Sequence, residues 1–372
     1  MSRPSPHRSP PWTVWKYISA QYTVIFTGVL LALLSLIYVF EVIELLRRST
    51  SKAASLTDVL VMGFFKLPEV GMRIFPFAIL FAGLICFWRL ARSHELVVLR
   101  ASGVSAWEFA LPAMFAAALI AVLKITMLSP AGAFIFSIYQ NWDNHVLRGQ
   151  TNTVAFTDSG LWLRQVNDDN TEAVIHAQTI NNTDWSMQNV MVLLFNPQGQ
   201  FVRRMDAPSA QLIPGQQWDI QHAVTTQTNG PPSTANDVVL PTHLTPTRIE
   251  EEYAQPDAVS FWTLPDLIAT IKHTGLAVTR LELYYYSLLS EPLLFMGIAL
   301  LGVAFALRQQ RAGGAVRLIM IGLGVGFALF FLRDFMRALA NADIVPIALA
   351  AWTPAFLATM IGASILLYSE DG

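Results

Sequence analysis

The sequence predicts an α-helical membrane protein with six transmembrane helices and an all-β, jelly-roll-like domain inserted between helices 3 and 4. Three observations carry that prediction. Of the 372 residues, 53% are hydrophobic and only 13% are charged, and the mean hydropathy is +0.45, a make-up that excludes an ordinary soluble globule. The apolar residues gather into six long runs, three before Pro130 and three after Arg280. Between them the pattern changes to short alternating stretches punctuated by turn residues, the grammar of strands rather than of membrane helices.

Residues 1–16 are rich in Pro and Ser and carry Arg3, Arg8 and Lys16 without an acid, which predicts a cytosolic tail. Tyr17–Leu46 is too long and continuous for the core of a signal peptide. As a helix of about 30 residues it is roughly 45 Å long against a hydrocarbon core of about 30 Å, so it tilts or protrudes. The second run, Thr57–Leu90, is broken by Pro68 and Pro76, and the third, Ala106–Leu128, is ended by Ser129-Pro130. Residues 17–129 thus hold helices 1 to 3. Residues 281–369 hold helices 4 to 6, at Leu281–Leu307, Val316–Leu339 and Ile347–Tyr368, with 370–372 as the carboxyl terminus.

Lys and Arg in short loops mark the cytosolic side. The amino tail, the turn with Arg89, Arg92 and Arg100, and the turn with Arg308, Arg311 and Arg317 fall on one side, so both termini are cytosolic and residues 130–280 lie outside. That insert holds fourteen Asp and Glu against seven Lys and Arg. Its runs Val154–Phe156, Leu161–Leu163, Val190–Phe195 and Ala210–Leu212 alternate with turn signals at Asp158–Gly160, Asn196–Gly199 and Pro214-Gly215, which points to a β-sandwich or a jelly roll. Residues 226–257 read as a looser connection, and Pro265–Thr274 as a short helix.

Catalytic signatures are missing. There is no G-x-x-x-x-G-K-[ST] loop to cradle phosphates, the seven histidines show no metal-ligand spacing, and the single cysteine, Cys86, lies inside an apolar run. No cofactor or metal is expected in this chain.

One short segment is built for a partner. In Ser93–Ser105, SHELVVLRASGVS, Ser93 suits an N-cap, Glu95 falls in the first turn, where the helix dipole favours an anion, and Gly103 suits a left-handed C′ position. The expected helix, residues 93–102, is roughly 13 Å long, too short to span a membrane and long enough to fill a groove on another protein. Leu96, Leu99 and Arg100 share one side of it.

Ionisable residues in or near the membrane are functional-site candidates. Arg47 and Arg48 stand at the outer end of the first run, Lys66 and Arg73 flank Glu69 in the second, and Arg333 and Arg337 share a face at the outer end of the fifth. Together these cations suit the phosphates of an anionic amphiphile, which they would meet with charge-assisted hydrogen bonds. Its acyl chains need an apolar chamber, for which Leu33, Ile37, Phe40, Phe75, Phe327 and Phe331 are candidates. The alternatives are pairing with Glu44, Glu69 and Asp334 and ordinary helix packing.

The pattern S-x-E-L-V-V-x-x-A-S-G at residues 93–103, following a membrane helix, resembles the LptF/LptG permease family of the lipopolysaccharide exporter, on its LptG side. The resemblance extends to the order of runs, to GLWLR, VLLFNPQGQFVRR and APSAQLIPGQQWDIQHAV in the insert, and to R-x-x-G-x-x-R at Arg311, Gly314 and Arg317. It implies a non-enzymatic subunit of an ABC-type exporter in a bacterial inner membrane, with the β domain periplasmic and lipopolysaccharide as the anionic amphiphile. It also implies an LptB-like ATPase dimer that binds ATP and Mg, an LptF-like permease, and LptC-like and LptA-like jelly-roll proteins, with no nucleic acid. Ser93, Glu95, Leu96, Leu99 and Arg100 would be the coupling residues, Glu95 pairing with a basic residue of the ATPase. Lysines that family members carry align with Glu41 and Glu69, and arginines with Ser137 and Gln140, so Arg47, Arg48, Lys66 and Arg73 stand as candidate substitutes. A membrane-anchored sensor or scaffold with a protein-binding β domain is the alternative function.

Overall fold

The computed structural model describes residues 12–49, 55–101, 103–142, 153–157, 159–166, 171–181, 184–213, 217–227, 233–242, 256, 259–309 and 315–370. The tail before Trp12, Ser102, most of the 226–257 connection, and Arg311 and Gly314 lie outside the described residues. The chain divides into two units, residues 1–136 with 283–372 and residues 137–282.

Helix α1 runs from Trp12 to Ser49, roughly 57 Å, and so takes in residues 12–16 of the expected tail. In the sequence Pro10-Pro11 precedes it, and proline suits a helix start because the first amides need no intrahelical partner. α2 spans Leu56–Arg92 and opens with a capping box between Ser55 and Asp58. Contrary to expectation it continues through Pro68 and Pro76, as membrane helices do when neighbouring helices and local adjustments compensate the lost hydrogen bonds. α3 is the short segment Glu95–Ala101.

α4, Ala106–Leu123, is capped by Ser105 and Glu108 and passes into a π-turn at Lys124–Leu128 and then into α5, Ser129–Trp142. Ser129-Pro130 was expected to end the third run. Instead the Ser129 amide reaches back to the Lys124 carbonyl, and Pro130, which has no amide to donate, falls where the helical register is already changing. The remaining helices are α6 (Leu264–His273), α7 (Thr279–Gln309), α8 (Ala315–Asn341) and α9 (Ile347–Glu370). Among the described residues five helices are long and apolar enough to cross a membrane, with spans at residues 12–48, 56–92, 106–140, 279–307 and 347–368. α8 has 27 residues and carries Arg317, Arg333, Asp334 and Arg337 along its length.

The helical unit is held by small residues that let backbones meet. Gly83 of α2 faces Gly302 of α7, where an added Cβ on Gly302 would lie 3.1 Å from the Gly83 Cα. α8 sits on α2 through Gly322 and Gly326, which receive Leu84, Phe81 and Phe77. Ser290 of α7 donates to the Ala351 carbonyl of α9 at 2.9 Å. Tyr22, Phe87, Phe109 and Phe295 fill the space between α1, α2, α4 and α7. Such packing replaces the hydrophobic drive that lipid cannot supply between helices.

The second unit contains seven strands: β1 (Thr153–Thr157), β2 (Gly160–Val166), β3 (Glu172–Asn181), β4 (Ser186–Phe195), β5 (Phe201–Ile213), β6 (Gln217–Gln227) and β7 (Ser233–Pro241). They form one antiparallel sheet in chain order, a meander without the crossovers of a Greek key. The sheet rolls up. The buried Gln165 of β2 donates to the Pro241 carbonyl at the end of β7 (2.9 Å) and accepts from Thr242 (2.6 Å), which brings together strands that stand five places apart in the sheet. Leu161, Leu163, Ile175, Val192, Trp218 and Ile220 are buried by that rolling. The expected all-β insert is thus an antiparallel sheet with the strand order of a meander, because short turns return each strand beside its predecessor. α6 belongs to this unit, and the Ile180 amide of β3 donates to the Thr274 carbonyl at its end (2.8 Å).

Packing at α7 and α9 yields a stability test. A Cβ on Gly297 would lie 2.6 Å from the Thr359 amide and hydroxyl, whereas one on Gly28 meets nothing within 4 Å. Gly297→Ala is expected to destabilise the helical unit by about 1–3 kcal/mol, while Gly28→Ala is neutral or stabilises by up to about 1 kcal/mol. Thermal unfolding of the purified chain in detergent checks both.

Candidate functional site

The charged candidates come to rest beside carboxylates. On α1, Arg47 and Arg48 share Glu44, their Nε atoms 2.9 and 2.8 Å from its oxygens. On α2, Arg73 pairs with Glu69 at 2.6 Å and stays exposed. Lys66 behaves differently. Its Nζ lies 2.7 Å from Glu41 of α1, and both side chains are only 18% exposed, so Lys66 ties α1 to α2 before it serves any ligand. Its partner Glu41, where the resemblance led us to expect a lysine, is thus engaged in an ion pair between the two helices. At Glu44 two arginines share one carboxylate.

On α8, Arg337 lies 4.0 Å from Asp334, and with Arg333 it lines a narrow cleft among α7, α8 and α9 that also includes Ser287, Ser290, Ala351 and Pro354. Behind this cleft is a pair that reading the sequence missed. Lys124, first residue of the π-turn, places Nζ 2.6 and 2.8 Å from the two oxygens of Glu291 on α7, and the side chains are 4% and 2% exposed. The ammonium lies 5.6 Å from the ring centres of both Phe75 and Phe295. Arg333, 25% exposed, reaches the same Glu291 at 3.6 Å. The signal for these residues was present as the one Lys of the third apolar run and a Glu ten residues into the fourth. Their meeting across 167 positions was not legible locally.

Energetically this pair is demanding. Removing two charges from water costs several kcal/mol per ion, which the mutual attraction offsets only when the geometry is good. Here both carboxylate oxygens are engaged, and two aromatic rings stabilise the cation.

The apolar candidates separate into two groups. Phe75 is buried, with ring centres of Phe26 at 5.7 Å and Phe295 at 6.4 Å, so it is corrected from chamber wall to core. Leu33 packs partly against that core and Ile37 is half-buried. Phe40 of α1 and Phe327 and Phe331 of α8 are exposed, on outward faces that continue with Leu36, Val39 and Ile43 on α1 and with Phe335 on α8.

The short helix α3 keeps its place but changes its details. Ser93 terminates α2 instead of capping α3, because the helical ladder of α2 continues through the Ser93 amide to the Arg89 carbonyl at 2.9 Å. Its hydroxyl donates to Glu95 at 2.8 Å. His94, with φ at +62°, makes the turn and supplies the carbonyl that accepts from the Val97 and Val98 amides. At the other end Gly103 has φ +86°, its amide reaching Arg100 while Val104 reaches Leu99, a Schellman closure. Leu96 is 1% exposed and Leu99 packs against the same core. Both anchor the helix to its own bundle, and the side turned outward carries Val97 and Val98, 55% and 68% exposed, with Arg100. The Tyr17 hydroxyl of α1 donates to Glu95 at 3.0 Å. Among the described residues no group of three or more His, Cys, Asp or Glu could hold a metal ion.

Comparison with known proteins adds a family. The family described as "Lipopolysaccharide export system permease LptF/LptG" matches residues 16–368. The chain is similar to the "Lipopolysaccharide export system permease protein LptG" of Escherichia coli (strain K12), at 22% identity over 354 residues that cover 92% of this chain and 95% of the relative. It is also similar to the protein of that name from Haemophilus influenzae, at 20% identity with coverage of 93% and 95%.

The buried pair predicts an asymmetry between single and double substitutions. Lys124→Met leaves a buried carboxylate short of its main partner and is expected to cost about 3–5 kcal/mol. Lys124→Met with Glu291→Met removes both charges and recovers most of that loss. Thermal unfolding of the two variants in one detergent measures the difference.

Proposed function

The chain belongs to the LptF/LptG family of lipopolysaccharide export permeases, and on that premise we propose that it is the LptG-type subunit of an ATP-driven exporter lifting lipopolysaccharide out of a bacterial inner membrane. In this reading α8 is also a span, the fifth in chain order, which brings the total to six; both termini are cytoplasmic and the rolled sheet is periplasmic. An LptF-like permease covers the outward apolar faces of α1 and α8, and the lipid enters sideways between the two chains. Arg47 and Arg48, two cations on one carboxylate, meet its phosphates together with Arg73, Arg333 and Arg337. An LptB-like ATPase dimer supplies ATP and Mg, and closure of that dimer pushes on α3. The narrowed chamber then passes lipid to the apolar interior of the rolled sheet and on to LptC-like and LptA-like proteins.

The observation that carries this reading is the construction of α3. A seven-residue helix closed by a glycine is anchored through Leu96 and turns Val97 and Val98 outward, so a partner gains apolar contact area while the helix stays locked to the bundle. Glu95 joins it to α1 through Tyr17, so a push on α3 is transmitted to α1.

Two variants separate docking from folding. Glu95→Lys is expected to lose the ATPase on gentle purification while the melting temperature stays within a few degrees, because half-buried Glu95 contributes only its hydrogen bonds from Tyr17 and Ser93. Leu96→Ala is expected to destabilise the helical unit by about 2–4 kcal/mol. Native mass spectrometry of the tagged complex reads the bound ATPase, the related permease and lipopolysaccharide together. Normal ATPase content and normal transport in Glu95→Lys would overturn the coupling role, and a lone chain carrying only ordinary phospholipid would favour a scaffold.

A further inference from the structure

The net stability of the bundle does not by itself call for Lys124 and Glu291. An apolar pair of the same bulk would join α4 to α7 at no greater cost. The lysine also opens a π-turn, a departure from α-helical geometry that recurs at functional sites, and the turn delivers its side chain between Phe75 and Phe295. Glu291 has both oxygens on Lys124, yet a carboxylate offers about four acceptor positions. On the Oε1 side stands the Arg333 guanidinium at 3.6 Å. That separation is beyond hydrogen-bond range, so the carboxylate orients the guanidinium by charge without consuming a donor. Arg333 is only 25% exposed and lines the cleft beside Arg337, Ser287 and Ser290.

We propose that Glu291 is a positioning residue for Arg333. Lys124 locks the carboxylate in place and offsets its charge, and the residual field aims the guanidinium into the α7–α8–α9 cleft to meet a phosphate of the transported lipid. This rests on the lipid-export reading. Without Lys124, Glu291 closes on Arg333 and withdraws it. Without Glu291, nothing directs the arginine to the cleft.

The test uses the purified complex in lipid nanodiscs, titrated with bis-phosphorylated lipid A and with the same lipid A lacking its phosphates, with binding read by native mass spectrometry. The wild-type complex is expected to prefer the phosphorylated probe about tenfold or more, the effect of a charge-assisted contact. Lys124→Met/Glu291→Met keeps its melting temperature but loses most of that preference, and Glu291→Asp retains part of it. Arg333→Gln loses the same preference, and adding it to the double variant removes nothing further, as expected for residues acting as one unit. A well-folded double variant with wild-type preference overturns the positioning role. Should the double variant not fold, Glu291→Gln and Arg333→Gln are compared alone and together, and additive losses overturn it equally. A wild-type complex that ignores the phosphates overturns the lipid reading and this inference with it.

Discussion

A lysine and a glutamate that meet with side chains only 4% and 2% exposed constrain how α4 sits against α7. In a bundle surrounded by lipid, apolar surface gives little reason for one helix to choose another, since lipid tails are as apolar as leucine. A buried ion pair does give a reason, because every arrangement that separates the two leaves a charge in a medium that cannot solvate it. The Lys124–Glu291 contact thus selects the register of α4 against α7, and the π-turn is the local distortion that lets the chain obey it. Arg333 enters from α8 as the third member, so α8 too refers to the carboxylate that joins α4 to α7.

Around that point the helical unit divides into a closed side and an open side. Between α2, α4 and α7 the side chains are buried and glycines bring backbones close. α1 and α8 both pack on α2 yet leave long apolar faces uncovered. In the reading proposed above, those uncovered faces are the ones that a second permease covers and that bound the path of the lipid. The same economy appears in α3, where two leucines face inward and two valines face outward. In the β unit a single meander rolls until Gln165 closes it on Pro241 and Thr242, so apolar strand faces find an interior without a second sheet.

Much of this was legible in local sequence. Apolar runs, basic short loops and alternating strands are read from a handful of neighbouring residues, and so was the glycine that closes α3. What was misread depends on competition between neighbours. Ser93 has the chemistry of an N-cap, but α2 claims its amide first. Ser129-Pro130 has the chemistry of a stop, but the π-turn absorbs it.

The sequence by itself determined the membrane class, the insertion of a β domain between two sets of helices, and the motif that places the chain in its family, because each follows from composition and short-range spacing. Only the tertiary structure decided which charges pair, which residues of α3 face outward, and that Phe75 packs in the core of this chain. Those are questions of what lies opposite a side chain. In a bundle the answer comes from residues as far apart as Lys124 and Glu291, and no local pattern in the chain records it.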